Sequence, residues 1–314
     1  MTVAFVFPGQ GSQSVGMLAG LAASEAVVAD TFAEASSVLG YDLWQLCQQG
    51  PEEALGVTEK TQPAMLAAGV ATWRVWRSKG GPLPTAMAGH SLGEYSALVA
   101  AGCLDFRTAI DLVRFRGAAM QAAVPAGQGA MAAILGLEDA EVEAACQAAA
   151  QGDIVEAANF NSPGQVVIAG QAAAVDRAIE IAKEKGAKRA IKLSVSVPSH
   201  SSLMRPAAEQ LAARLQQTDL RAPQCIDIYS VDLRKHTDAD GIRAALVDQL
   251  VKPVRWADTV RAMLGSGVRT FVECGPGKVL TGLNRRVERD KAVRMIALED
   301  AASIAEALDA SANA

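Results

Sequence analysis

The stretch Thr85-Ala86-Met87-Ala88-Gly89-His90-Ser91-Leu92-Gly93-Glu94-Tyr95 decides the fold. A short apolar run, Thr85 to Gly89, reads as a strand, and an amphipathic helix pattern, Leu92 to Ala101, begins directly after it. Gly89-His90-Ser91-Leu92-Gly93 fits G-x-S-x-G, in which a serine sits on a sharp strand-to-helix turn with its hydroxyl exposed. The glycines are needed because neighbouring backbone passes close to such a turn. The five-residue pattern alone is weak, and a plain strand-helix turn competes with it. The strand before and the helix after are the setting that gives it chemical meaning. A helix N-terminus also favours negative charge, so the Leu92 amide is a candidate oxyanion donor.

Outward from this turn the first part of the chain alternates strands and helices. Thr2 to Phe7 reads as a strand, Val27 to Leu39 and Pro63 to Arg77 as helices, and Phe106 to Val124 as a further helix. Such alternation implies a mainly parallel sheet covered on both faces. Pro125-Ala126-Gly127-Gln128-Gly129 is a turn-rich junction. Beyond it come Met131 to Leu137 (strand), Asp139 to Ala150 (helix), Ile154 to Phe160 and Gln165 to Ala169 (strands), Ala172 to Lys185 (helix) and Arg189 to Val195 (strand). That order, β-α-β-β-α-β, is ferredoxin-like. The large unit then resumes with a helix over Leu203 to Leu215, a strand over Cys225 to Tyr229, helices over Gly241 to Leu250 and Trp256 to Leu264, and strands over Thr270 to Cys274 and Met295 to Leu298. The Ala-rich tail after Ala301 reads as a final short helix. The expected fold class is α/β: residues 1–125 and 196–314 form a large domain around a parallel sheet, and residues 126–195 form a small ferredoxin-like domain inserted into it. A cleft between two domains is a favoured ligand site.

Composition narrows the function. The 314 residues are 50% hydrophobic and 20% charged, an ordinary globular balance. A formal net charge of -5 argues against general nucleic-acid binding, which needs a basic field. The five cysteines are scattered and odd in number, with no C-x-x-C pair, so neither a disulfide framework nor a zinc site is expected. Met1 to Phe7 reads as a first strand and not a signal peptide, and no apolar stretch is long enough to span a bilayer. A cytoplasmic protein, monomeric and with no membrane association, is expected.

A serine hydroxyl is weakly nucleophilic until a base takes its proton. The chain holds three histidines. His90 adjoins Ser91 and is expected to leave the turn in another direction. His236 lies in the polar run Arg234 to Asp240, which reads as a solvated loop. His200 follows a strand end and Pro198, just before a helix, and by elimination it is the base. No acidic third member is identifiable; a backbone carbonyl would orient the imidazole equally well. Arg116 lies mid-helix among apolar residues: either a structural ion pair or snorkelling side chain, or a bidentate clamp for a carboxylate near the serine. Gln10, in the Gly-rich turn Pro8 to Gln13, is placed so that its amides or side chain approach the serine. Gly275-Pro276-Gly277-Lys278 lacks the spacing of a phosphate loop and reads as a strand-to-helix turn.

Taken together these residues resemble the bacterial malonyl-CoA:acyl carrier protein transacylases. The resemblance is carried by Phe7 to Gln13, Gln62-Pro63-Ala64, Gly89 to Tyr95, Arg116-Gly117, Asn159 to Gln165, Val197 to His200, Gln249-Leu250 with Pro253-Val254, and Glu273 to Gly277, in family order across nearly the whole chain. It implies an α/β-hydrolase-like large domain with a ferredoxin-like insert. It also implies Ser91 as nucleophile, His200 as base, the Gln249 backbone carbonyl orienting His200, Arg116 binding the malonyl carboxylate, and Gln10 with the Leu92 amide as oxyanion hole. The implied substrates are malonyl-CoA and acyl carrier protein, with no metal and no cofactor. The acidic carrier would dock on Lys183, Lys185, Lys188, Arg189 and Lys192, or on Arg285, Arg286 and Arg289, although each run reads more simply as a solvated helix face. Ser199 stands where malonyl-selective multidomain acyltransferase modules carry a Phe before the histidine. Two other activities fit the Ser-His pair: a serine hydrolase of acyl thioesters, and a malonyl transferase serving another carrier in malonate decarboxylation or polyketide assembly. A carrier-binding module with an inert serine is the non-enzymatic reading.

Overall fold

In a computed structural model that describes residues 2–195, 197–224 and 226–312, two sheets organise the chain. Strands β1 (Thr2–Phe7), β2 (Ala86–Gly89), β7 (Asp227–Tyr229), β8 (Val268–Glu273) and β9 (Arg294–Ala297) form one sheet in the order β7-β2-β1-β8-β9. Every pairing in it is parallel. β1 is central and buries both faces. Phe5 and Phe7 turn to a core shared with Met87 and Val272, while Ala4 and Val6 turn to a second core with Ala86, Ala88, Trp256 and Val260. A strand in that position needs apolar residues on both sides, so its sequence is a continuous run instead of an alternation.

The first core is closed by α1 (Ala19–Ser24), α2 (Ala26–Leu39), α3 (Leu43–Gln49), α4 (Glu52–Leu55), α5 (Thr58–Ser78), α6 (Gly93–Ala100) and α7 (Phe106–Ala123), and further along the chain by α10 (Arg205–Gln216), α11 (Ala239–Val251) and α14 (Ala301–Ala312). Two helices, α12 (Trp256–Gly265) and α13 (Val279–Val287), cover the opposite face. The second sheet holds β3 (Gly129–Leu135), β4 (Val155–Ser162), β5 (Gln165–Gln171) and β6 (Arg189–Lys192) in the order β4-β5-β3-β6, antiparallel throughout. Its own core packs α8 (Asp139–Ala150) and α9 (Ala172–Glu184) on one face, with Ile134, Val155, Phe160 and Ile168 meeting Val142, Cys146, Val175 and Ile179. The expected parallel sheet and ferredoxin-like unit are both present.

Departures from the sequence reading are local. The strand expected to reach Val195 ends at Lys192, because the chain must leave the sheet edge to enter the turn that carries His200. The expected strand start at Cys225 lies outside the described residues, and the strand itself spans Asp227–Tyr229. α1, α3 and α4 have no counterpart in the sequence reading, while α13 is the helix into which the Gly275 to Lys278 turn was expected to lead; α3, for example, is a seven-residue helix started by the Asp42 side chain, which accepts from Gln45 N–H at 2.8 Å. Cys47, Cys103, Cys146 and Cys274 are buried free thiols, as small apolar core residues are.

The two sheets meet beside the elbow. Phe160 N–H donates to the Val254 carbonyl at 2.8 Å, and Val254 N–H donates to the Ala158 carbonyl at 2.9 Å. β4 is thereby tied to the segment that follows α11.

Candidate active site

The elbow is built from close backbone approach. β1 and β2 run side by side with Phe7 opposite Gly89, and His90 N–H donates to the Phe7 carbonyl at 2.9 Å. A Cβ on Gly89 would lie 1.8 Å from the Gly93 carbonyl carbon, and one on Gly93 would lie 2.0 Å from the Phe7 oxygen. Only glycine fits at either place. Ser91, between them, takes a left-handed φ of 51°, a strained choice for a side-chain-bearing residue and the kind found at reactive turns. The loop after β1 lies against this turn, since a Cβ on Gly9 would come within 2.4 Å of the His90 carbonyl oxygen. The backbone N–H groups of Leu92 and Gln10 have no acceptor among the described residues. The Gln10 side chain points elsewhere, its Nε2 being 3.5 Å from the Thr58 hydroxyl, so its amide is the better-placed donor.

His200 reaches Ser91 from 109 positions along the chain, with Nε2 2.8 Å from Ser91 Oγ. Its Nδ1 lies 2.7 Å from the Gln249 carbonyl oxygen. A carbonyl only accepts, so Nδ1 carries the proton and Nε2 is left free to accept from the serine. Burial, and then the nearby Arg116 charge, pull the His200 pKa down to about 3. The imidazole is neutral at physiological pH and able to take a proton.

Arg116, on α7, is 1% exposed. Its Nη2 donates to Gln249 Oε1 at 2.8 Å and reaches Ser91 Oγ at 3.4 Å. The guanidinium carbon lies 5.6 Å from the centre of the Tyr95 ring, and Nε–H has no acceptor among the described residues. Burial lowers the guanidinium pKa from its ordinary value. A buried cation with an idle donor beside the Ser91 hydroxyl is equipped to receive an anionic group. The sequence left Arg116 open between a packing role and this one; no salt bridge engages it among the described residues.

Gln249 ties the site together. Besides the two contacts above, its Nε2 donates to the Ser91 carbonyl at 3.1 Å and to Glu94 Oε2 at 2.6 Å. Glu94, 1% exposed, was not singled out by sequence reasoning. Its signal was a carboxylate one turn beyond Ser91, inside a largely apolar helix. Burial raises its pKa to about 7. Gln62, within one of the sequence blocks quoted above, is also buried; its Nε2 meets Met120 Sδ at 3.4 Å and its Oε1 has no partner among the described residues.

The other candidates separate cleanly. His90 does leave the turn in another direction: its Nε2 lies 2.8 Å from Asn161 Oδ1 on β4, and its ring sits 5.6 Å from that of Trp256. His236 is paired with Asp232 at 3.2 Å in a polar loop. Gly275 to Lys278 is a turn from β8 into α13. The Ser91, His200, Arg116, Gln249 and Leu92 group is brought together at the C-terminal edge of the parallel sheet, with Gln10 entering from the end of β1. A serine paired with a neutral imidazole, free N–H donors and a buried guanidinium can form and hold an acyl ester that bears a carboxylate.

Residues 4–301 match the family described as acyl transferase domain. The malonyl CoA-acyl carrier protein transacylase of Escherichia coli strain K12 is 58% identical over 284 residues, covering 90% of this chain and 92% of that protein. This chain belongs to the malonyl CoA-acyl carrier protein transacylase family. The transacylase of that name from Haemophilus influenzae is 56% identical over 301 residues, with 96% of each chain covered. Among solved structures, the malonyl CoA-acyl carrier protein transacylase of Coxiella burnetii gives a TM-score of 0.96 at 49% identity, over 98% of this chain and 97% of that one. A malonyl-transacylase in complex with a type II PKS acyl-carrier protein gives 0.96 at 55% identity, over 99% and 100%. No group of three or more His, Cys, Asp or Glu among the described residues is arranged to hold a metal ion, and no described helix is long and apolar enough to cross a membrane. Both basic runs are partly engaged: Lys183 pairs with Glu180 and Lys192 with Asp176, while Arg285 donates to the Met295 carbonyl and Arg286 to Gln165.

Proposed function

We propose that this transacylase moves a malonyl group from coenzyme A to the phosphopantetheine thiol of acyl carrier protein through an ester on Ser91, as in fatty acid biosynthesis. The observation that carries the reading is the Ser91 to His200 contact of 2.8 Å with Arg116 3.4 Å from the same oxygen. His200 Nε2 takes the Ser91 proton as Oγ attacks the thioester carbonyl. The oxyanion is met by the amides of Leu92 and Gln10. Collapse breaks the C–S bond, and coenzyme A leaves with the proton returned by His200. The carrier thiol then gives its proton to His200 and attacks the ester; the C–O bond to Ser91 breaks, and His200 returns that proton to Ser91 Oγ. No electron changes hands, so no redox partner is required, and no step calls for a metal or other cofactor.

The Arg116 charge also bears on the base. It is the second cause of the low His200 pKa. A malonyl carboxylate paired with Arg116 neutralises that charge and makes His200 a stronger base when the correct substrate is present. An acetyl group leaves the guanidinium uncompensated. A general esterase has no use for such a group, which argues against the serine hydrolase reading.

The same reading takes residues 1–125 and 196–314 as the catalytic domain and residues 126–195 as a small domain set into it, working in the cytoplasm. The complex with a type II PKS carrier formed by a 55% identical neighbour keeps a polyketide carrier as the second possible acceptor. Incubation with malonyl-CoA followed by intact-protein mass measurement should show a malonyl adduct that is absent in Ser91→Ala and discharged by acyl carrier protein. An adduct on Ser91→Ala, or discharge by water at the same rate as by carrier, overturns the reading. Swapping carriers in that second step separates the two acceptors.

A further inference from the structure

His200 occupies a backbone turn that must be held in place. Its φ is 62°, left-handed and unfavourable for a residue with a β-carbon. Within the turn, Ser201 Oγ donates to the Pro198 carbonyl at 2.7 Å and Ser199 N–H donates to the Val197 carbonyl at 2.8 Å. Two residues past the histidine, the chain enters a single 3-10 turn, Ser202–Met204, that leads into α10. There one carboxylate from the antiparallel sheet closes over the backbone. Glu156, on β4, accepts from Ser202 N–H at 2.7 Å with Oε2 and from Ser202 Oγ at 2.9 Å with Oε1. Apart from the His200 ring contacts, Glu156 is the one residue whose side chain, among the described residues, hydrogen-bonds to 197–202 from outside the turn.

The placement is chemically apt. A carboxylate at the start of a helical run meets unpaired N–H groups and the positive end of the dipole. Both carboxylate oxygens are used on one residue, so the turn is fixed in orientation as well as position. β4 is itself anchored through Asn161 to His90, next to Ser91, and through Ala158 and Phe160 to Val254, five residues past Gln249. One strand therefore touches the segments that carry the serine, the imidazole and the carbonyl that orients it.

We propose that Glu156 is a positioning residue for the acyl transfer: it clamps the turn after His200 from the small sheet and keeps Nε2 in line with Ser91 Oγ. The proposal rests on His200 being the base. A misplacement on the scale of an ångström is enough to cost one to two orders of magnitude in such a reaction.

The test is single-turnover formation of malonyl-serine, followed by mass, in Glu156→Ala, Glu156→Gln and Ser202→Ala, each also built on His200→Ala. Glu156→Ala is expected to slow acylation about tenfold with the malonyl-CoA dependence unchanged. Glu156→Gln should recover most of the rate, since its amide oxygen still accepts from the Ser202 N–H and its NH2 donates to the hydroxyl. Ser202→Ala, which keeps the backbone bond, should fall between them. On His200→Ala the Glu156 substitutions should have no further effect. A wild-type rate in Glu156→Ala, a loss confined to substrate affinity, or the same loss with and without His200 overturns the proposal. If Glu156→Ala does not fold, Glu156→Gln and Ser202→Ala carry the same comparison. If His200→Ala itself acylates at the wild-type rate, the base assignment falls instead, and the two failures are told apart.

Discussion

The Glu94 carboxylate lies 2.6 Å from the side-chain nitrogen of Gln249, and that contact sets the orientation of an amide on which the whole site leans. With Nε2 turned to Glu94 and the Ser91 carbonyl, Oε1 must face Arg116. Glu94→Ala removes the stronger acceptor and leaves a buried amide N–H underused, at about 1–3 kcal/mol. The amide is then free to rotate and Arg116 loses its fixed partner. We expect kcat/KM with malonyl-CoA to fall by roughly ten- to a hundredfold on that loss of preorganisation. Glu94→Gln should lose less, because an amide oxygen still accepts from Gln249. Steady-state kinetics on the two variants, with thermal melts alongside, check this. Equal loss in both would place the effect in the charge and not in the hydrogen bond.

Arg116→Ala separates substrates. The guanidinium is buried, and its removal leaves a malonyl carboxylate desolvated and unpaired, a loss on the order of 2–5 kcal/mol, or roughly 30- to several-thousandfold. Acetyl transfer from acetyl-CoA makes no use of the charge and should change far less. It can even gain, since the Arg116 charge lowers the His200 pKa. The ratio of malonyl to acetyl transfer is the measurement. A parallel fall with both donors would remove the carboxylate role.

Two buried groups give stability a pH dependence of opposite sign. Burial and the Arg116 charge lower the His200 pKa from 6.5 to about 3, so between those values the unfolded chain binds the proton more readily. Its contribution is complete above pH 6.5 and is lost as pH falls toward 3. His90, also lowered by burial, acts in the same direction. Glu94 is raised from 4.5 to about 7 by burial, so the folded state holds that proton more tightly. Its contribution is complete below pH 4.5 and is lost as pH rises toward 7. In the parent protein the terms oppose one another between pH 4.5 and 6.5. Glu94→Gln should steepen the loss of Tm on acidification there, and His200→Ala should flatten it. Melting curves across pH 4 to 8 that keep the same slope in all three proteins would contradict the two assignments.

How much of this was legible in the sequence depends on how local the signal is. The elbow was readable because its requirements lie within a few residues: an apolar strand, two glycines, a serine and a helix start. The ferredoxin-like unit was readable for the same reason, each of its elements being continuous and its Asn161 to Gly164 turn carrying the usual turn residues. α13 has apolar residues at 279, 280, 283 and 287, a helical spacing, but Asn284-Arg285-Arg286 interrupts the pattern to the eye. Pairing Ser91 with His200 drew on there being so few histidines to choose from. Glu94 and Glu156 gave no comparable handle. Each is a carboxylate whose meaning comes from a partner 155 or 46 positions away, a contact that only tertiary structure specifies.

The elbow glycines provide the sharpest stability test, because an exposed helical glycine elsewhere in the chain supplies a control. A Cβ at Gly89 would sit 1.8 Å from the Gly93 carbonyl carbon and 1.9 Å from the Glu94 nitrogen. Both obstacles are backbone, so no side chain can rotate aside. Gly89→Ala must displace either β2 or the first turn of α6, and with it Ser91. We expect a loss above about 3 kcal/mol, the range of severe core overpacking, with little soluble protein and no acyl-enzyme. Gly282 is exposed within α13, and a Cβ there would meet nothing within 4 Å. Gly282→Ala should therefore stabilise, by about 0.4–1 kcal/mol, through the lower entropy of the unfolded chain and better helix propensity. A rise in Tm of about 1–3 °C with unchanged acylation is the expected reading. A Gly89→Ala protein that melts and acylates like the parent would mean that the strand-to-helix turn is looser than its contacts require.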